Sequence, residues 1–305
     1  YSPKVYSGLD RFTLMLANKL AEDHYQNIFL FYDTLEYAPA YREELTENGH
    51  TIVLLDSKSG TQKLLKEYLT CFNSYKPAIV HVHFTSLFKL LNCFLRLFYH
   101  FKLFISFHST VNPCSSYKKY RKQKGFVKTL LYTWYCRFIY QQSNAIICVS
   151  QAVKRQYLQF LHHNRKVKCL YLGVNPTITS QEKAKRILHF EDETRFRICH
   201  ISAFEHLKGI DIIIEAAALL KEKYQLRDFK VYLIGTDRRN DNYSKMIKEL
   251  SARLQVQEHI VWLGKRFDIQ YILPAFDVYI HPSRQEGIGV SLMEAASAGL
   301  PLIGT

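Results

Sequence analysis

A chain of 305 residues is long enough to bury the cores of two domains. Its 48% apolar and 22% charged content excludes a disordered or fibrous protein, and no run of eighteen uncharged apolar residues predicts a membrane-spanning helix. The net charge of +14 is unevenly placed: between Glu67 and Glu182 there are sixteen Lys and Arg and no Asp or Glu, while the remainder is close to neutral. Such a bias speaks of partners rather than fold, and anionic ones are expected. Seven scattered cysteines (71, 93, 114, 136, 148, 169 and 199) fit buried thiols in a reduced, cytoplasmic chain better than a disulfide framework or a zinc site. The chain opens at Tyr1 and stops at Thr305 after an expected strand, and is read as part of a longer protein.

The elements follow in order. After Ser7-Gly8-Leu9-Asp10-Arg11, helix-period apolar residues predict a helix over 12–20. Strands are predicted over 27–32 and 51–55, and a helix over 60–72. Residues 78–82 read as a buried strand ending at His83, 87–101 as a helix, and 103–107 as a strand ending at His108. A helix over 126–142, a strand over 145–149 and a helix over 151–161 capped by Ser150 come next. A strand over 168–174 leads to a polar linker with a short helix over 176–194. The alternation restarts with strands over 197–201, 230–235, 260–263 and 278–281, and helices over 210–224, 243–254 and 269–275. Strands alternating with helices predict parallel α/β sheets. Two such series predict two Rossmann-like, doubly wound domains facing across a cleft, 1–175 and 176–305.

The last part of the chain carries the most specific pattern. Glu286 and Glu294 stand eight positions apart in His281-Pro-Ser-Arg-Gln-Glu-Gly-Ile-Gly-Val-Ser-Leu-Met-Glu-Ala-Ala-Ser-Ala-Gly-Leu-Pro301. Gly287 and Gly289 make a flexible turn before a helix over 290–298. A glycine turn opening a helix presents backbone N–H groups and a positive dipole end to an anion. Glu294, about one turn inside, can reach hydroxyls of whatever that helix start holds. Donors for phosphate beside a carboxylate for hydroxyls suit a nucleotide sugar.

This run resembles the Glu-x7-Glu signature of retaining family 4 glycosyltransferases (glycosyl transferases group 1), as does its Ala-Gly-x-Pro tail. Ala145-Ile-Ile-Cys-Val-Ser150 followed by Tyr171-Leu-Gly-Val-Asn175 resembles the end of that family's acceptor domain. His200-Ile-Ser-Ala-Phe-Glu-His-Leu-Lys-Gly209 resembles the loop opening its nucleotide domain, and Ser7-Gly8 to Arg11 its N-terminal Gly-Gly-x-x-Arg loop, with Ser in place of the first Gly. The resemblance covers nearly the whole chain and is strongest over 197–305. It implies a GT-B type fold, with the family's first strand and final returning helices absent. The domain 1–175 would bind the acceptor and 176–305 the nucleotide sugar.

By the same resemblance, the protein is a hexosyltransferase moving a sugar, with retention, from a nucleoside-diphosphate sugar to a glycan or lipid-linked acceptor in surface polysaccharide or glycoconjugate synthesis. Glu294 would hold the ribose hydroxyls, while Glu286 and the backbone of Gly287, Ile288 and Gly289 hold the donor sugar. Lys208 would stabilise the departing diphosphate. His108 would contact the sugar near the reacting carbon, and Gly8 would approach the phosphates. Where the family usually carries an Arg, five residues before Lys208, this chain has Ala203, which removes one phosphate contact. No side chain stands out as a nucleophile, and the resemblance implies that the leaving diphosphate helps deprotonate the incoming hydroxyl. No Asp-x-Asp or His/Cys/carboxylate cluster with ligand spacing is present, so neither a metal nor another cofactor is expected.

Other residues have plainer readings. His81 and His83 alternate along their strand and are taken to face opposite sides, so that only His83 would line a cleft. Arg11 reads equally as a surface residue and as a ligand, and the pair His162-His163 as a solvated helix terminus. The acid-free region interleaves aromatics with lysines, in 87–101 and in Tyr117-Lys-Lys-Tyr-Arg-Lys-Gln-Lys124, which suits peripheral contact with the anionic inner face of a membrane better than nucleic acid. Two rival functions stay open: a nucleotide-sugar 2-epimerase of the same fold, which would need carboxylates that 68–181 lacks, and a non-catalytic polyanion-binding protein.

Overall fold

The structure is a computed structural model that describes residues 8–32, 39–56, 58, 60–83, 86–108, 122, 124–161, 163–174, 176, 177, 179–190, 195–237 and 242–305. Ser7, Cys114, His162, Asn175 and the basic stretch from Tyr117 to Arg121, all singled out above, lie outside the described residues. The chain divides into two compact units, Tyr1–Leu172 and Gly173–Thr305. Among the described residues no helix is long and apolar enough to cross a membrane.

The N-terminal unit opens with α1 (Gly8–Glu22), β1 (Ile28–Tyr32), α2 (Pro39–Glu47) and β2 (Thr51–Leu55), β1 and β2 pairing in parallel. Sequence periodicity missed α2, where the buried side chains among those described are Tyr41 and Leu45, one turn apart, packed with Leu14 and Phe31. Two apolar residues are too few to read as a period. Next come α3 (Thr61–Tyr75), β3 (Ile79–Val82), α4 (Ser86–Leu95), β4 (Lys102–Phe107), α5 (Phe126–Gln142), β5 (Ala145–Cys148), α6 (Gln151–Leu158) and β6 (Val167–Cys169). The last four strands form one parallel sheet in the order β3-β4-β5-β6. Leu103, Ile105 and Ile146 in this sheet and Ile139 on α5 are fully buried.

Several boundaries depart from the sequence reading. The helix expected over 87–101 ends at Leu95, and bonds from Leu97 N to Phe94 O and from Phe98 N to Leu95 O tighten the chain into a turn that lets β4 begin at Lys102. The strand expected over 168–174 stops at Cys169, the partner of Cys148, because β5 ends there and offers nothing more to pair with. β3 is only partly buried, Ile79 being exposed. The helix expected over 151–161 ends at Leu158, although Ser150 does cap it, accepting from Val153 N at 3.3 Å.

The C-terminal unit contains α7 (Gln181–Ile187), β7 (Phe196–Ile201), α8 (Ile210–Glu222), β8 (Phe229–Ile234), α9 (Tyr243–Arg253), β9 (Ile260–Gly264), α10 (Ile269–Ile272), β10 (Val278–His281), α11 (Val290–Ser297) and β11 (Leu302–Gly304). All five strands are parallel, in the order β11-β10-β7-β8-β9. The chain grows outward from β7 through β8 to β9, then crosses back to lay β10 on the other side of β7. That reversal makes β7 and β10 the topological switch point, where an open α/β sheet leaves a crevice at its carboxyl edge. Ile210, Ile213, Ile214 and Ala217, on one face of α8, pack with Val231, Leu233 and Ile247, each buried Ile, Val or Leu contributing about 1.5–3 kcal/mol. This core holds β7 and β10 side by side and so fixes the two loops that follow them.

Candidate functional site at the C-terminal sheet edge

The loops after β7 and β10 meet at the switch point. Beyond β7 the chain makes a single 3-10 turn, His206–Lys208, then passes through Gly209 in the left-handed region (φ 69°) into α8. A Cβ at Gly209 would lie 2.0 Å from the carbonyl oxygen of Pro282 in the other loop, so only glycine lets the two approach this closely. Arg284 fastens them together. Its backbone N–H donates to Leu207 O at 2.8 Å, and its guanidinium donates to His206 O at 2.8 Å. The same guanidinium makes two bonds to Asp211, at 2.7 and 2.6 Å, and Tyr243 donates a third bond to that carboxylate at 3.1 Å. Arg284 and Asp211 were not singled out from the sequence, although Arg284 lies inside the 281–301 run.

Within this frame Lys208 Nζ donates to Glu286 Oε1 at 2.6 Å. Ser283 Oγ donates to the same oxygen at 3.2 Å, and His281 Nε2 lies 3.3 Å from it. Burial works against the Glu286 charge. His281 and the Lys208 ammonium outweigh it and hold the carboxyl below its ordinary value. The sequence reading thus named two residues, seventy-eight positions apart, that the fold brings into contact.

Gly289 leads into α11 with no side-chain cap, so the first-turn N–H groups face the loop. A Cβ there would sit 3.1 Å from His281 Nε2, which explains a glycine at this place. Behind the helix start, Tyr279 donates to Ser291 Oγ at 2.8 Å and Ser291 donates to Ile201 O at 3.1 Å, pinning α11 to the end of β7. Glu294 lies on α11, one turn beyond its start. His200, fully buried at the core of the edge, bonds Ile280 O and Ser202 Oγ, both at 2.8 Å. Burial, only partly opposed by the bond to Ile280, pulls its imidazole down to about 4 and keeps it neutral.

The N-terminal unit carries its own polar group at the carboxyl edge of β3 and β4. The expectation that His81 and His83 face opposite sides is wrong. A strand has a two-residue period, so residues two apart share a face, and the two rings lie 4.1 Å apart. His81 Nε2 bonds Ser106 Oγ at 2.7 Å, and His83 Nδ1 meets His108 Nε2 at 2.8 Å, one ring donating and the other accepting. Burial lowers all three histidines: His81 to about 4, His108 to about 3, and His83 well below its usual range, where His81, His108 and Lys89 add to the effect. Lys89 is likewise buried, lies 4.1 Å from the centre of the Phe107 ring, and is lowered to about 8. Gly8 begins α1 of the same unit. The six described cysteines are free thiols, and among the described residues no group of three or more His, Cys, Asp or Glu could hold a metal ion.

These features meet a family pattern. The model for Glycosyltransferase Family 4 matches residues 6–178, and that for Glycosyl transferases group 1 matches residues 181–305. The chain belongs to the family 4 glycosyltransferases, of GT-B fold. Among curated relatives, the lipopolysaccharide glucosyltransferase WaaG of Escherichia coli is 32% identical over 98 residues, covering 32% of this chain and 25% of WaaG. The N-acetyl-alpha-D-glucosaminyl L-malate synthase of Bacillus anthracis is 22% identical over 171 residues, covering 55% of this chain and 43% of that enzyme. The chain therefore matches less than half the length of these relatives. Anabaena HepE, in complex with UDP and glucose, superposes with a TM-score of 0.79 at 18% identity, covering all of this chain and 78% of HepE. The crystal structure of WaaG gives 0.67 at 17% identity, covering 98% of this chain and 78% of that one.

Proposed function

We propose that the protein transfers a sugar from a nucleoside-diphosphate sugar to a glycan or lipid-linked acceptor with retention of configuration, and that it does so without a metal ion. The observation that carries this reading is the Lys208–Glu286 pair at the switch point, beside the uncapped start of α11. Backbone N–H groups at that start receive the diphosphate. Lys208 exchanges Glu286 for the leaving phosphate as negative charge grows there, which is the electrostatic work that a divalent cation does in other transferases. Glu286, released, accepts bonds from the sugar hydroxyls, with Gly287, Ile288 and Gly289 supplying backbone contacts. Glu294 grips the ribose. Gly8 and His108 keep the donor-binding roles that the family resemblance gives them.

HepE has been solved with UDP and with UDP-glucose as well as with UDP and glucose, which favours a uridine donor here too. The acid-free, basic region favours work at an anionic membrane face, on the cytoplasmic side where nucleotide sugars are made, with contact that is peripheral.

The test is a thermal-shift screen of nucleoside diphosphates and their sugars, followed by kinetics with whichever donor binds. UDP should raise the melting temperature of the protein, and Glu294→Gln should abolish that shift. In turnover, Glu294→Gln should raise KM, because a ribose grip contributes similarly to ground and transition states. Lys208→Ala should lower kcat roughly 100-fold. A Lys208→Ala enzyme working at the wild-type rate would refute the leaving-group role.

A further inference from the structure

His281 ends β10 beneath Glu286, 4% exposed, with both ring nitrogens set against oxygen. Nδ1 lies 3.3 Å from the Tyr279 hydroxyl, and Nε2 lies 3.3 Å from Glu286 Oε1. The protons around the first contact are already committed. Tyr279 gives its proton to Ser291 Oγ at 2.8 Å, and Ser291 gives its own to Ile201 O at 3.1 Å. A phenol has a single proton, so the Tyr279 oxygen accepts from Nδ1, and the one proton of a neutral imidazole sits there. Nε2 is then bare. In agreement, this buried nitrogen makes no hydrogen bond among the described residues, although a carboxylate oxygen is beside it. Two acceptors thus face each other while Lys208 and Ser283 donate to the same Oε1, at 2.6 and 3.2 Å. Once Nε2 carries a proton the same geometry becomes a hydrogen bond, and in that form His281 helps to hold the Glu286 carboxyl below its ordinary value.

Donor binding upsets this balance. In the transfer proposed above, Lys208 leaves Glu286 for the leaving phosphate, and Ala203 supplies none of the positive charge that an Arg there would. Glu286 loses its ammonium while new negative charge arrives beside it, and both changes favour the charged form of a neighbouring imidazole. We infer that His281 is a positioning residue that takes up a proton on Nε2 as Lys208 turns away, so that Nε2–H replaces the ammonium at Oε1 and keeps Glu286 aimed at the donor sugar. The proton comes from solvent and adds to the Nε2 lone pair. No other titratable group around the ring can take this part. Tyr279 is fully buried, and burial raises its phenol above the ordinary value. His200, on β7 with its ring 6.2 Å away, is kept neutral by burial. Glu294, on α11, acts through its charge on Tyr279. The proposal deepens the Lys208 exchange and rests on it.

Calorimetry of UDP-glucose binding to the full protein reads the step. The diphosphate of UDP-glucose is esterified at both ends and does not titrate near neutrality, so heats measured in buffers of different ionisation enthalpy count protons taken up by the protein. Near pH 7 the wild type should take up roughly half a proton per donor bound. His281→Gln keeps an N–H for Oε1 but cannot titrate, and should bind within about three-fold of wild type with no uptake. His281→Leu, which offers no N–H, should bind roughly ten-fold more weakly. Equal uptake in wild type and His281→Gln would overturn the proposal. A ligand-free measurement stands apart from the donor reading and needs no change at His281. In Lys208→Met the ammonium leaves Oε1 without any donor. Nitrogen-15 spectra of the histidine rings, with His281 assigned through its backbone, should then show it titrating about one unit higher in pH than in the wild type, with Nε2 passing from a bare to a protonated nitrogen. A His281 titration indifferent to Lys208→Met would overturn the proposal even where UDP-glucose binds. If UDP-glucose does not bind, the uridine donor falls, and the Lys208→Met spectra still decide the role of His281.

Discussion

The two sheet edges place polar residues at equivalent points, the ends of adjacent parallel strands, yet they hold opposite charge states. At the C-terminal edge Lys208 and Glu286 form a 2.6 Å ion pair, and the carboxyl stays ionised in spite of burial. At the N-terminal edge His81, His83 and His108 are neutral, and even Lys89 is lowered to about 8. The difference is one of partners. The N-terminal edge is built from a stretch with no carboxylate for more than a hundred residues, so desolvation acts without opposition. The C-terminal edge sets a carboxylate against an ammonium across two loops. A buried group keeps its ordinary charge range only where the fold brings it an opposite one; Lys89, without one, is left closer to neutral pH.

The comparison breaks most sharply at Gly209. Gly209→Ala forces a side chain into Pro282 O in a left-handed conformation, and should separate the loops that hold the ion pair. A loss on the order of 3 kcal/mol in the stability of the C-terminal unit is expected, read from urea unfolding followed by Trp262 fluorescence, together with loss of the UDP-induced thermal shift. Unfolding by Trp134 fluorescence should be unaltered. Equal stability in the variant would show that the two loops are not in contact.

Acid sharpens the contrast. His81, His108 and His200 have folded-state values below the ordinary 6.5, so between about pH 6.5 and 4 the unfolded chain binds more protons than the folded one, and stability falls as pH falls. Glu286 is also depressed, from an ordinary 4.5, so its contribution is complete above that value and is lost only as pH drops further, through the lowered one. Four such histidines, His50, His81, His83 and His108, sit in the N-terminal unit and one, His200, in the other. Trp134 should therefore report unfolding at a pH about one unit higher than Trp262 does, measured in Trp262→Phe and Trp134→Phe variants. Coincident transitions would mean that the histidine cluster does not dominate acid sensitivity.

The smallest effect is expected at Arg284. Arg284→Lys keeps the charge but forfeits the two-pronged grip on Asp211 and the bond to His206 O. The pair is partly exposed, so stability should change by no more than about 1 kcal/mol, while UDP affinity, measured by calorimetry, should fall roughly three- to ten-fold as the Lys208 loop loosens. Unaltered affinity would show that Arg284 merely decorates the loop.

What the sequence determined by itself was the alternation of strands and helices, the parallel α/β class, and a short pattern of glutamates and glycines in which spacing alone carries chemistry. Thr51–Leu55, Phe126–Gln142 and Val278–His281 were read from the sequence to the residue. Tertiary structure decided what spacing cannot express. It closed α4 early so that β4 could pair, stopped β6 where β5 ran out, and put His81 and His83 on one face. It joined Lys208 to Glu286, because contact across a sheet depends on strand order, and the crossover from β9 back to β10 leaves no mark in local composition. It also turned α5 outside in, burying Thr129 and Thr133 and leaving Leu131 and Trp134 exposed: periodicity reports that a helix has two faces, and only packing decides which of them meets the core.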